Sequence, residues 1–139
     1  MKIRIIPFLP AITWLITSTI LLSLPGDDLP ENNFFDIPYF DKYVHFGMFF
    51  ILTVLFCYPF VRTTTNGSGV KSIFKEIAIA AIAFGVAMEF VQKYLVINRS
   101  FDVIDIVFDT LGSVAGLIGI SWYRGKKIGP NGNRGRNQN

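Results

Sequence analysis

The stretch that decides the fold reads Asn98-Arg99-Ser100-Phe101-Asp102-Val103-Ile104-Asp105-Ile106-Val107-Phe108-Asp109-Thr110-Leu111-Gly112-Ser113-Val114-Ala115-Gly116-Leu117-Ile118-Gly119. Its acids and glycines recur at steps of three and four residues, which is the spacing of one stripe along a helix. The other sides of this helix are apolar. In a membrane helix, glycines allow close packing and acids face neighbouring helices instead of lipid. The stretch therefore predicts a membrane helix whose stripe is packed inside a bundle, formed by Asp102, Asp105, Asp109, Gly112, Gly116 and Gly119.

The composition of the whole chain agrees with a membrane protein. The 139 residues are 51% hydrophobic and only 17% charged, and the mean hydropathy is +0.44. This length fits one domain, and a soluble domain of this size could not bury so much apolar surface in one core. The basic residues lie in short loops and the tail, as membrane topology requires, so we expect no nucleic-acid partner. Cys57 is the only cysteine, which excludes an internal disulfide.

Four apolar runs predict four membrane spans. The first three cover residues 7–24, 42–61 and 73–96, and the fourth follows a tight connection at 98–102 and ends near Tyr123. We therefore predict an all-α membrane protein, a four-transmembrane-helix bundle, with residues 1–123 as its membrane domain. The glycine-rich and basic residues 124–139 are predicted to form a disordered tail.

The loop charges predict the orientation of the bundle. Lys and Arg are concentrated at the N-terminus, in 62–75 and in the tail, whereas the 25–41 segment is acidic. The positive-inside rule then places both termini in the cytoplasm. We expect 25–41 to lie outside, as a solvated loop or a lid over the bundle mouth, and 62–71 to form a polar cytoplasmic turn.

Polar residues of three spans fall at the outer side of this predicted bundle. Charges at membrane depth are costly unless they are paired or hydrated, so they mark a functional site by default. The alternatives to a functional site are charges that lie at the membrane interface, a structural role for His45, and an ion pair between Glu89 and Arg99 that fixes helix register. The glycine stripe is most simply explained by helix packing. The predicted ligand-binding set is Asp41, Lys42, His45, Glu89, Gln92, Arg99, Asp102, Asp105 and Asp109.

These residues also carry a family resemblance. The pattern Asp41-Lys42-x-x-His45-Phe46, then Glu89-x-x-Gln92, then Arg99-x-x-Asp102-x-x-Asp105-x-x-x-Asp109-x-x-Gly112-x-x-x-Gly116 resembles the VanZ-like family of small bacterial membrane proteins. The match covers roughly residues 42–120. One departure is Asp109, where the family usually has Asn. The resemblance implies a multi-pass protein of the bacterial plasma membrane and, through the founding member, a link to teicoplanin resistance. It implies no settled reaction.

The leading functional hypothesis is a site that binds or handles an envelope lipid or a lipid-linked cell-wall precursor. In this hypothesis Lys42, His45 and Arg99 meet phosphate or sugar oxygens. The acids Glu89, Asp105 and Asp109 position those cations or bind hydroxyl and amine groups of the ligand.

Two other classes of function stay open. In an enzyme, His45 would be the general base, and Glu89 or Asp105 its acid partner. No cofactor is required, although a divalent metal could be held by His45, Glu89, Asp105 and Asp109. In a structural or assembly protein, the same cluster would only lock the bundle.

Overall fold

The structure is a computed structural model that describes residues 5–25, 40–61 and 67–128. Within these ranges the regular elements are all helical, which confirms the all-α prediction. The outer segment 25–41, predicted as a solvated loop or a lid, and the end of the basic tail lie mostly outside the described residues. The α-helices are α1 (Leu9–Leu22), α2 (Phe40–Cys57), α3 (Gly67–Leu95) and α4 (Val103–Ile128).

Prolines set the ends of the first two helices. A 3-10 turn at Ile6–Phe8 precedes α1, and Pro10 is tolerated in the first turn of α1 because the amide it lacks would be unpaired there anyway. The predicted second span continues to Val61, but α2 ends at Cys57 and a 3-10 turn follows at Tyr58–Phe60. Pro59 lacks an N–H and its ring clashes with the preceding turn, which ends the α-helix.

The third helix begins earlier than the sequence indicates. Residues 67–71, predicted as part of a polar turn, form the first turn of α3. Val70 and Phe74 are fully buried near the start of this helix, packed with Cys57 and Val61 at the end of α2. Burial of this apolar face outweighs the low helix propensity of the glycines.

The connection from α3 to α4 is tight, as predicted. Asn98 has φ 56, a left-handed conformation that Asn tolerates after a helix. Asp102 then caps α4, since its Oδ1 accepts the Ile104 N–H at 2.8 Å. At its other end α4 continues to Ile128, so the prediction of a disordered tail from residue 124 is wrong for residues 124–128.

Helices α2 and α4 lie side by side and run in the same direction. Residues near the start of α2 meet residues near the start of α4, and this order is kept along both helices. A Cβ at Gly112 would overlap the backbone carbonyl of Phe46, and one at Gly116 would lie 2.8 Å from the Phe50 carbonyl oxygen. Both contacts are those that the predicted packing role requires at Gly112 and Gly116. A Cβ at Gly119 would make only an ordinary contact, so Gly119 is not needed for close packing.

The other helices run against this pair in the opposite direction. Phe84 of α3 packs on Phe49 of α2, and the Trp14 indole of α1 donates to the Met48 carbonyl at 3.0 Å. One apolar cluster fills the middle of the bundle, and a second lies at the end where α2 finishes and α3 begins. The buried charged residues lie at the opposite end from the second cluster.

Two helical segments within the described ranges are long and apolar enough to cross a membrane. They are Phe40–Phe60 and Val103–Ile128, while Ile6–Leu22 is apolar but shorter. Many large apolar side chains on these elements point outward, among them Ile16, Ile20, Leu111 and Ile118. An apolar outer surface together with charged side chains buried between helices is the pattern of a membrane protein.

Candidate functional site

Lys42 is the centre of an ion-pair network where α2 meets the start of α4. Its Nζ donates to Asp102 Oδ2 at 2.5 Å and to Asp105 Oδ1 at 2.6 Å, and Asp41 Oδ2 lies 3.1 Å away. Only 8% of the Lys42 side chain is exposed. Asp102 lies in the connection before α4, and its hydrogen bond from the Lys42 ammonium holds the pKa of its carboxyl below the usual value. One buried ammonium is therefore shared by three carboxylates.

His45 lies one turn further along α2 and is clamped between two acids of α4. Its Nδ1 is 2.9 Å from Asp109 Oδ1, and its Nε2 is 3.8 Å from Asp105 Oδ2. All three side chains are buried. With a proton on Nδ1, the imidazole donates to Asp109 and its Nε2 remains without a proton. This arrangement is a base, or a ligand, oriented by a carboxylate.

Glu89 brings α3 into the same cluster. Its Oε2 accepts the backbone N–H of Asp102 at 2.9 Å. Its Oε1 is buried and has no hydrogen-bond partner among the described residues. Atoms of His45, Glu89 and Asp105 lie within 4.8 Å of one another. We name Lys42, His45, Glu89, Asp105 and Asp109 the charged cluster; it joins α2, α3 and α4.

Two residues of the predicted set have other partners. Gln92 is buried, and its Nε2 donates to the Leu22 carbonyl at 2.9 Å. Arg99 Nε donates to the Leu24 carbonyl at 3.4 Å. Both residues therefore hold the end of α1 against the α3–α4 connection. The alternative of an ion pair between Glu89 and Arg99 is not found among the described contacts, since Arg99 Nε donates to the Leu24 carbonyl.

Gly85 is a residue whose importance the sequence does not reveal. A Cβ at this position would lie 2.6 Å from Asp109 Oδ2 and 3.1 Å from a ring carbon of Phe49. The missing side chain therefore leaves room for Asp109 to reach His45. The sequence marks Gly85 only as one small residue among several in the third span.

Buried hydroxyls extend from the charged cluster along the α2–α4 contact. Ser113 is one turn beyond Asp109, and Thr53 lies against Gly116. Both residues are fully buried, and neither hydroxyl has a partner among the described residues. The sequence gives little indication that these two hydroxyls are important, since single hydroxyls are common in membrane helices.

The fold and the cluster together define a class: an all-helical membrane protein with ionisable side chains buried between its helices. The chain matches the VanZ/LLP1 family over residues 5–124 and belongs to that family. This confirms the resemblance seen in the sequence, and the match extends it to α1. No solved structure matches the chain.

Among curated proteins, the chain is similar to an uncharacterized protein of Schizosaccharomyces pombe (strain 972). The two are 34% identical over 89 residues, which are 63% of this chain and 51% of the relative. The chain thus spans about half the length of that relative.

Proposed function

We propose that this protein binds the head group of a membrane lipid or lipid-linked cell-wall precursor at the charged cluster. The observation that carries the proposal is a set of buried acids and one lysine at the matching ends of two helices long enough to span a bilayer. Ionisable groups at such a position need partners that lipid tails cannot supply. A polar head group at the membrane surface supplies such partners.

Charge supports an outward-facing site in a multi-pass protein. The end of the bundle opposite the cluster carries Lys71, Lys75, Arg124, Lys126 and Lys127. The positive-inside rule would put this end in the cytoplasm and the cluster toward the outer face. In a bacterium, that is the face at which cell-wall precursors on their lipid carriers are used, which fits a plasma-membrane location.

The contacts favour ligand groups that donate hydrogen bonds. Lys42 is already shared by carboxylates, and Arg99 Nε is directed to the Leu24 carbonyl. The sequence-based hypothesis that these cations meet phosphate has less support for this reason. Glu89 Oε1 and the oxygens of Asp105 are acceptors, which suit the hydroxyl or amine groups of an amino sugar or an aminated head group.

A lipid-resolved experiment tests the proposal. Native mass spectrometry, run in EDTA on protein extracted in mild detergent, should show lipid retained by the wild type and lost from Asp105→Asn. Glu76→Gln is the matched control, because Glu76 is an exposed acid on α3 that pairs with Ser72. Equal lipid retention in all three proteins, or none in the wild type, would rule the proposal out.

In cells, this proposal predicts a link to glycopeptide tolerance. A protein that binds a lipid-linked precursor at the outer face would alter access of teicoplanin to that precursor. Expression in a susceptible Gram-positive host should raise the inhibitory concentration of teicoplanin, and Asp105→Asn should remove the increase. An unchanged inhibitory concentration with verified membrane expression would remove this link.

The His45–Asp109 pair specifically favours a second candidate, a membrane-embedded acid–base enzyme. Asp109 orients the imidazole, and Nε2 lies 3.8 Å from Asp105 Oδ2, the nearer of its two candidate acid partners. The reacting bond would belong to the same head group. Turnover of a labelled lipid by purified protein, abolished in His45→Gln, would establish this function in place of simple binding.

A further inference from the structure

We infer that the charged cluster contains a site for a transition-metal dication, held by His45, Glu89 and Asp105. This inference does not depend on a lipid ligand and goes beyond the proposed function. Imidazole nitrogen and carboxylate oxygen are ligands that Zn²⁺ and Mn²⁺ accept, whereas Mg²⁺ and Ca²⁺ prefer oxygen only. The three residues come from three different helices, α2, α3 and α4.

Geometry is the first support. One donor atom from each residue lies within 4.8 Å of the other two. Ligand bonds to Zn²⁺ are about 2.0–2.2 Å long, so donors around one ion are separated by roughly 3–4 Å. Binding would therefore require only a small inward movement of side chains that already face one another.

The second support is independent of the spacing of the acids. Glu89 is 1% exposed, and its Oε1 has no hydrogen-bond partner among the described residues. A buried, unpaired carboxylate oxygen is costly unless a cation or a proton satisfies it. In this cluster a metal ion would satisfy Oε1 while Oε2 keeps its bond from Asp102.

The third support is the surroundings of His45. Metal-binding histidines usually donate their second ring N–H to a carboxylate, which fixes the ring and the tautomer. Asp109 Oδ1 is 2.9 Å from Nδ1, which leaves Nε2 for the ion. Asp105 is likewise held, because Lys42 takes its Oδ1 and leaves Oδ2 toward the imidazole.

Charge balance supports the same conclusion. Glu89, Asp105 and Asp109 are buried carboxylates, and Lys42 is the one ammonium within hydrogen-bond distance of a cluster acid among the described residues. Lys42 also contacts Asp41 and Asp102. A dication would compensate the excess negative charge that these groups leave in a medium of low dielectric constant.

Metal stoichiometry on delipidated protein tests the inference. Wild-type protein, stripped with a chelator and equilibrated with Zn²⁺ or Mn²⁺ alone, should retain one ion per chain after gel filtration, and Mg²⁺ should not compete. His45→Gln and Glu89→Gln should each weaken binding by at least about tenfold. Glu76→Gln should bind as the wild type does. The Mn²⁺ complex should also show electron-spin coupling to an imidazole nitrogen.

Several outcomes would overturn the inference. They are a wild type that retains no ion, a Glu89→Gln variant that binds as tightly as the wild type, or bound Mn²⁺ without coupling to nitrogen. The stoichiometry and the nitrogen coupling are both measured on the wild-type protein. The test therefore stays decisive even if a variant fails to fold. Lipid retention is measured in EDTA, so either result can fail while the other stands.

Discussion

At the scale of single residues, Lys42 forms one ion pair with a buried acid and another with an exposed acid. Lys42 contacts Asp105, whose side chain is 6% exposed, and also Asp41, whose side chain is 52% exposed. Removing one partner of a buried pair leaves an uncompensated charge, while an exposed pair contributes little. The two contacts should therefore respond very differently to substitution.

We predict that Lys42→Met lowers the free energy of unfolding by about 3–5 kcal/mol, because Asp105 loses its buried ammonium partner. Asp41→Asn is the control and should change it by less than about 1 kcal/mol. Reversible unfolding in mixed detergent micelles measures both. Equal effects of the two substitutions would mean that the network does not stabilise the fold.

We predict that the amide of Asn can replace the carboxyl group of Asp109 in its contact with His45. Asn keeps an oxygen that can accept the His45 Nδ1–H, and it is nearly the same size as Asp. Asp109→Asn should therefore keep the melting temperature and lipid retention near wild type, whereas Asp109→Leu should lose both. The Asn that the family usually has at this position fits this expectation. A silent Asp109→Leu variant would show that the contact with His45 has no role.

At the scale of the helices, the α2–α4 contact depends on two glycines that touch backbone. Gly112 and Gly116 meet the Phe46 and Phe50 carbonyls, and these backbone atoms cannot rotate away. We predict that Gly112→Ala destabilises the protein by about 1–3 kcal/mol through overpacking. Gly119→Ala should be neutral or stabilising by up to about 1 kcal/mol, since Ala is the better helix former.

The same unfolding assay compares the two variants. A Gly112→Ala protein as stable as the wild type would mean that α2 and α4 are not in backbone contact. If Gly119→Ala were the more damaging change, the glycine stripe would face a partner other than α2.

The sequence predicts the presence of the helices better than the residues at which they begin and end. The predicted stripe agrees with the structure from Asp105 to Gly116, because acids and glycines that recur every three to four residues in an apolar run are typical of a packed membrane helix. The end of α2 was misplaced although Pro59 was visible, because the hydrophobic run continues past it. The start of α3 was missed because it depends on burial of Val70 and Phe74 against α2, a contact between distant parts of the chain.

The same limit applies to the site. The sequence predicts that His45, Glu89, Asp105 and Asp109 lie on the same side of the membrane, and the structure brings them together. It could not show that Arg99 binds a carbonyl near α1 rather than Glu89, since both are reachable from a short connection. Choice of partner depends on helix rotation and side-chain rotamers, which spacing does not determine.

At the scale of the whole molecule, membrane orientation is the main open prediction. Cysteines at Ser100 and Ser68, which are exposed and lie at opposite ends of α3, report on the two sides in a Cys57→Ala background. We predict that an impermeant thiol reagent labels the Ser100→Cys protein in intact cells, and the Ser68→Cys protein only after lysis. The reverse pattern would invert the bundle and place the charged cluster inside the cell.

The backbone contact at Gly112 and Gly116 also determines which part of the molecule can open. The glycines of α4 lie directly against backbone carbonyls of α2, so the two helices cannot separate without losing packing along their whole contact. We therefore expect α2 and α4 to move as one body. Helix α3 instead meets this pair largely through side chains, such as Phe84 on Phe49 and Glu89 on the Asp102 amide. A ligand or ion would thus enter between α3 and the α2–α4 pair, and the short connection from α3 to α4 would limit how far α3 moves.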